Sequence, residues 1–261
     1  MGKHKISFIN ITLMFFLANA IMFAQSVNEL IVKSEQYYEK FDNQNSLKVL
    51  EQADKMSPDN WEILWRMSRA CVDIGEHMPT GTDDQEDAQL SIYEKALDYA
   101  NRSIKLAPDK SVTYLRRAVV NGRIALFKGV FSVGKVVESI KTDAEKSIKL
   151  GNGGNEIQAT AHYVLARTHA KLMQKSWVAR KVAGLSWADT DIAVENFKKA
   201  IELRPNYVMF YVDFAIAYMD DDKNDLATTL LNKALSSPIQ DEDDQKRKDE
   251  AKKLLEEIKN N

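Results

Sequence analysis

The chain has 261 residues, with 36 basic and 38 acidic side chains and only 10 Gly and 5 Pro. Gly and Pro are what tight turns consume, so their scarcity argues against a turn-rich β-sandwich, a collagenous chain and a disordered one. The near-balanced charge sets up no bulk field toward nucleic acid. A single cysteine, Cys71, with four scattered histidines supplies neither an intramolecular disulfide nor a cysteine-rich zinc site.

Lys3, His4 and Lys5 precede an apolar stretch from Ile6 to Phe23, which small Ala24 ends before polar Gln25, Ser26, Asn28 and Glu29. This is the pattern of a secretory signal peptide over residues 1–25, cleaved near Ala24 or Gln25, so the expected location is exported, periplasmic or secreted. The alternative is an uncleaved membrane anchor over residues 6–24, because about 20 apolar residues span a bilayer. Asn10, Thr12 and Asn19 interrupt the stretch and no positive cluster follows it, which favours cleavage. An uncleaved segment is the only membrane contact expected, and a lone cysteine suits an oxidising compartment.

From residue 26 the chain is a series of amphipathic helical patterns with an internal repeat. In each unit a small residue of a first helix (Ser34, Ser68, Ala118, Ala166, Ala215) is followed by the start of a second (Ser46, Ala96, Ile140, Ala193, Ala227). The second helix has its own contact residue at Ala53, Ser103, Ser147, Ala200 and Ala234. A closing turn then falls at Pro58, Pro108, Asn152, Pro205 and Ile239, the last beside Pro238. From second-helix start to closing turn is 12 residues in all five units. Small residues let antiparallel helices approach while large apolar ones three and four apart fill the seam, and this spacing resembles the tetratricopeptide repeat.

The expected fold class is therefore all-α: an α-α superhelix, a tetratricopeptide-like solenoid of about five helix pairs. The repeat domain runs over residues 26–241, with units of about 27–60, 61–110, 111–154, 155–207 and 208–241. The middle three units gain 16, 10 and 15 residues between their helices, and such insertions are expected to project as loops, often on the binding side. After Asp241, Glu242, Asp243 and Asp244, the stripe Ala251, Leu254, Leu255 and Ile258 predicts a C-terminal capping helix over 242–261 that closes the last repeat.

Three stretches add a narrower resemblance. Leu64-Trp65-Arg66-Met67-Ser68-Arg69-Ala70, Tyr93-Glu94-Lys95-Ala96-Leu97-Asp98-Tyr99-Ala100, and Trp177 followed by Arg180, Lys181, Val182 and Ala183 together look like the regulator of microtubule dynamics family. The Trp177 insertion and the order of insertions carry most of the likeness, which covers most of residues 60 to 260. It implies an α-helical repeat domain used for association, with no enzymatic chemistry carried by these motifs.

The remaining chemical motifs have structural readings. Gly129, Gly134 and Lys135 have the spacing of a phosphate-binding loop, but residue 136 is Val and no strand precedes, so a helix entry is expected. His162 and His169 fall in the inter-helix seam and lack a third metal ligand. Asp220, Asp221, Asp222, Asn224 and Asp225 lack the central Gly and distal Glu of a calcium loop and read as a helix connection. Asp83, Asp84 and Glu86 are expected at a helix N-terminus. No nucleophile, base and orienting group share a recognisable spacing, so no catalytic residue, metal or cofactor is expected.

Function should then reside in the concave groove lined by the first helices. Its expected partner- or ligand-binding residues are Trp65, Arg69, Leu115, Val119, Tyr163, Arg167, Val212 and Ile216, with Trp177, Arg180 and Trp187 in the third insertion. Two occupants fit: an unidentified protein or apolar segment held by Trp65 and Tyr163 and oriented by the arginines, or a lipid-like ligand with tails along Leu115, Val119, Val212 and Ile216. A third reading fills the groove from within, through Trp177, Val178, Val182, Leu185 and Trp187.

Overall fold

The computed structural model describes residues 26–127 and 130–260, so the signal or anchor expected over the first 25 residues lies outside the described residues. The first helix, α1, covers residues 26–38. It is followed by α2 (Asn43–Met56), α3 (Trp61–Glu76), α4 (Asp83–Leu106), α5 (Ser111–Ile124), a 3-10 turn (Ala125–Phe127) and α6 (Val130–Leu150). The second half comprises α7 (Gly154–Met173), α8 (Trp177–Val182), α9 (Thr190–Leu203), α10 (Val208–Met219), α11 (Asn224–Ser236) and α12 (Asp244–Asn260). There is no strand among the described residues.

The tightest packing is within the pairs α3/α4, α5/α6, α7/α9 and α10/α11, and each pair stacks on the next through α2/α3, α4/α5 and α6/α7. The fold is thus an all-α solenoid of helix pairs, closed by α12 against α10 and α11. Every small or contact position read from the repeat is at most 5% exposed. Three of the closing turns share one geometry: the amide after the second helix donates to the carbonyl of the contact residue, Ser57 to Ala53, Ala107 to Ser103 and Arg204 to Ala200. The cap residue is non-helical in each, with φ near −140°, because the following Pro58, Pro108 or Pro205 bars it from helical geometry. The third unit has no proline, and Gly151 at φ 66° makes the turn instead.

The helix starts are equally local. Asp42, Asn60, Thr82, Ser176 and Asp189 each accept a hydrogen bond from a first-turn amide. Asp83, Asp84 and Glu86 occupy the first turn of α4, where they complement the helix dipole. Asp220, Asp221 and Asp222 make the α10–α11 turn. α6 runs helically through Gly134 and Lys135, as a helix entry rather than a phosphate loop would.

The insertions differ from expectation, since most of their length extends helices instead of forming loops. α4 grows to 24 residues and α6 to 21. The cause lies in the inserted residues themselves: Leu90, Ile92 and Tyr93 on α4, and Val133, Val136 and Val137 on α6, carry an apolar face that packs into the neighbouring core. The third insertion contains a separate short helix, α8, and the second the 3-10 turn Ala125–Phe127.

Candidate functional site

The first helices wind tightly enough that each touches the next, α3 with α5, α5 with α7 and α7 with α10. Inner-face positions therefore become inter-helix contacts. Leu115 and Val212 are fully buried, and Trp65, Arg69 and Tyr163 are 9%, 7% and 6% exposed. Their expected exposure in an open groove is corrected accordingly, and Leu115 and Val212 offer no surface to line an apolar tail. Val119, Arg167 and Ile216 are half-buried.

A polar cluster occupies the inner face of the first three units. Glu35 on α1 accepts from Arg66 Nε at 2.6 Å and from Arg69 Nη2 at 2.7 Å, so one carboxylate serves two guanidiniums. Burial alone would raise the Glu35 pKa, but the two arginines outweigh it and hold it below the usual range. Arg69 stacks over the Tyr38 ring at 3.5 Å. Around the Trp65 ring lie three guanidiniums, those of Arg66 at 4.2 Å, Arg69 at 5.1 Å and Arg116 at 5.4 Å.

Arg116, on α5, is the odd member: among the described residues it has no carboxylate within ion-pair distance. Its Nε and that of Arg69 are buried without a hydrogen-bond partner. Burial, and then the Arg69 charge, hold the Arg116 pKa below its ordinary value. One turn beyond Arg69, Asp73 is pushed up to about 7, by burial first and then by Glu76. The cluster thus presents more fixed positive charge than negative, in a place where charge is expensive to leave uncompensated.

The fourth and fifth units are self-satisfied by contrast. Asp213, 7% exposed, accepts from Tyr163 Oη at 2.6 Å and Arg167 Nε at 2.8 Å, and Arg247 of α12 lies 3.5 Å away. Tyr163 stacks on Phe210 with ring centroids 4.8 Å apart. Arg167 is therefore already engaged, unlike Arg116. The seam histidines are packing groups: His162 Nδ1 meets Asn196 Oδ1 at 2.7 Å, and buried His169 accepts at Nδ1 from the Asp189 amide at 3.0 Å. Cys71 is fully buried and its thiol is pushed up to about 12 by burial, which removes it as a nucleophile.

The third insertion stays off the inner face. Leu185 and Ala188 are buried against α6 and α7, and Trp187 meets His169 edge-on at 5.1 Å with Lys141 over its ring at 5.0 Å. Arg180 is half-buried and points Nη1 at Met173 Sδ and the Ala188 carbonyl. Trp177, Val178 and Val182 face outward, 59%, 63% and 63% exposed, so the expectation that they fill the groove is corrected.

Two features were missed in the sequence. One is Arg116, which no helix-face count flags because its meaning depends on Arg69, 47 positions away. The other is the acidic linker before α12, which reaches back across the molecule. Asn43 Nδ2 donates to Glu242 at 3.0 Å, His77 lies 3.5 Å from Glu242 and 3.6 Å from Asp243, and Tyr207 Oη donates to Asp241 at 2.8 Å. The acid run itself was visible, but its partners were not.

Comparison with known proteins agrees with this architecture. The family described as regulator of microtubule dynamics protein 1-3 matches residues 30–259. Regulator of microtubule dynamics protein 1 of Mus musculus is 27% identical over 235 residues, 88% of this chain and 74% of that protein. Regulator of microtubule dynamics protein 2 of Mus musculus is 26% identical over 76% of this chain and 48% of its own length. Among solved structures, a thermophilic tetratricopeptide repeat protein of Thermus thermophilus superposes with a TM-score of 0.63 at 16% identity, covering 87% of this chain and all of that one. With its helix pairs, insertions and matched span together, the chain belongs to the regulator of microtubule dynamics family.

Proposed function

We propose that the protein is a non-enzymatic interaction scaffold whose inner face receives an acidic segment of a partner protein. The observation that carries this reading is Arg116: a half-buried guanidinium beside Arg69, with no ion-pair partner among the described residues. A carboxylate entering there would accept from Arg116 with the Arg69 charge beside it, and the half-buried Tyr38 ring lies alongside. Helical repeat proteins of this kind use such inner surfaces for association. Export or N-terminal anchoring forms part of the proposal, on the strength of residues 6–24. N-terminal sequencing of the native protein tests that part, cleavage predicting a start near Gln25 or Ser26.

The test of the scaffold places a photo-crosslinking residue at half-buried Val119 and measures the partner adduct in the native compartment. Arg116→Gln should lower adduct yield about tenfold or more, the scale of a lost charge-assisted contact. Asp249→Asn, on exposed α12 surface, should leave it unchanged. Equal yields from Arg116→Gln and the unaltered chain would sink the proposal.

A further inference from the structure

The third insertion carries a surface that the repeat does not need for its own packing. α8 is short but firmly mounted. Ser176 caps it, the buried Leu185 anchors the following turn, and Arg180 is tied to the Ala188 carbonyl. Gly134 of α6 abuts the Ala183 carbonyl so closely that a Cβ there would clash with its oxygen. Ala179 and Arg180 form the inward side, while Trp177, Val178, Lys181 and Val182 share the outward side, and Met173 just before it is 37% exposed.

The charge written along this segment is one-sided, although the Asp220 carboxylate of the α10–α11 turn accepts from Gln174 beside it at 2.7 Å. No Asp or Glu occurs between Glu156 and Asp189, a stretch that includes Arg167, Lys171, Lys175, Arg180 and Lys181, although the whole chain carries a net charge of −2. Lys171, Lys175 and Lys181 are exposed, and none has a carboxylate within ion-pair distance among the described residues. Lys181 Nζ lies 4.7 Å from the Trp177 ring centroid, which places cation and aromatic at one spot.

We infer that α8 with its flanking lysines is a docking site for an anionic lipid bilayer surface. A protruding Trp, two Val and snorkelling lysines, with no acid in the segment itself, are what an interfacial segment presents to acyl chains and lipid phosphates. Lysine is depleted from protein–protein interfaces, so this mixture fits a lipid surface better than a folded partner. The site is separate from the inner face and does not depend on it.

Hydrogen exchange of the full chain on vesicles tests this, read over residues 171–188 so that the apolar N-terminus contributes equally to every sample. Phosphatidylcholine vesicles containing phosphatidylglycerol should slow exchange in 177–183 several-fold, pure phosphatidylcholine should not, and added salt should reverse the effect. Lys175→Glu combined with Lys181→Glu should return exchange in 177–183 to within about twofold of its rate on neutral vesicles, and Trp177→Ala comparably. All three side chains are exposed, and unchanged exchange in α9 to α11 checks that the fold is intact. Exchange over 171–188 that ignores the anionic vesicles, or responds equally to neutral ones, overturns the inference.

Discussion

Asp213 and Arg116 show how differently a buried charge can be held in one molecule. Asp213 has Tyr163, Arg167 and Arg247 around it, so Asp213→Ala strips three donors at once, and urea unfolding should report a loss of about 2–4 kcal/mol. Arg116 lacks such partners, and its neighbour Asp73 holds its proton up to about pH 7. Between the ordinary carboxylate value and 7, the folded chain keeps a proton that the unfolded chain releases. Stability therefore falls as pH rises through that window, and the loss is complete above it. Glu76 and Glu242 shift the same way, chiefly through burial. His77 is raised because nearby carboxylates and the Asp73 carbonyl outweigh its burial, so its contribution is present below its unfolded value and fades as pH climbs past the folded one. The Tm should accordingly be higher at pH 5 than at pH 8, and Asp73→Asn should raise the pH 8 value and flatten the profile. A Tm that is flat in the unaltered chain would contradict the assignment. At this scale the sequence announced the small seam residues, whose requirement is local. It concealed the charge cluster, whose members lie on α1, α3 and α5 and meet only after winding.

At the scale of elements, the helices and their ends were legible because caps, prolines and apolar spacing act within a few residues of where they are written. Pro58, Pro108 and Pro205 stop three second helices in one geometry. The insertions were legible in position and length but not in form, since a loop and a longer helix have the same residue count. Two glycines separate the cases. Gly134→Ala would drive a methyl group into the Ala183 backbone, costing about 1–3 kcal/mol in chemical denaturation and loosening the third insertion from α6. Gly122→Ala meets nothing within 4 Å on α5 and should gain about 0.5–1 kcal/mol. Leu115 and Val212 are covered although they face the groove side, because helical period gives the direction in which a side chain points, while the curvature that covers it depends on how successive pairs stack.

Across the whole molecule, α12 completes the array. Ala251 is fully buried, and Leu254, Leu255 and Ile258 pack against the last pair, so a chain ending at residue 240 should expose an apolar face and associate on gel filtration. The linker ahead of α12 joins Glu242 to Asn43, 199 positions earlier in the chain. In an ordinary linear array each unit senses only its neighbours and can fray from either end alone. Here the two ends are tied, so release at one end loosens the other, and breathing of the first pair becomes coupled to that of the last. The tie also has a place in time. It is the hydrogen bond of longest span among the described residues, closing it costs loop entropy that nearer contacts do not, and it can form only after residue 242 has been made. The pairs before it can assemble as the chain emerges, so the two ends are joined after the units between them have stacked.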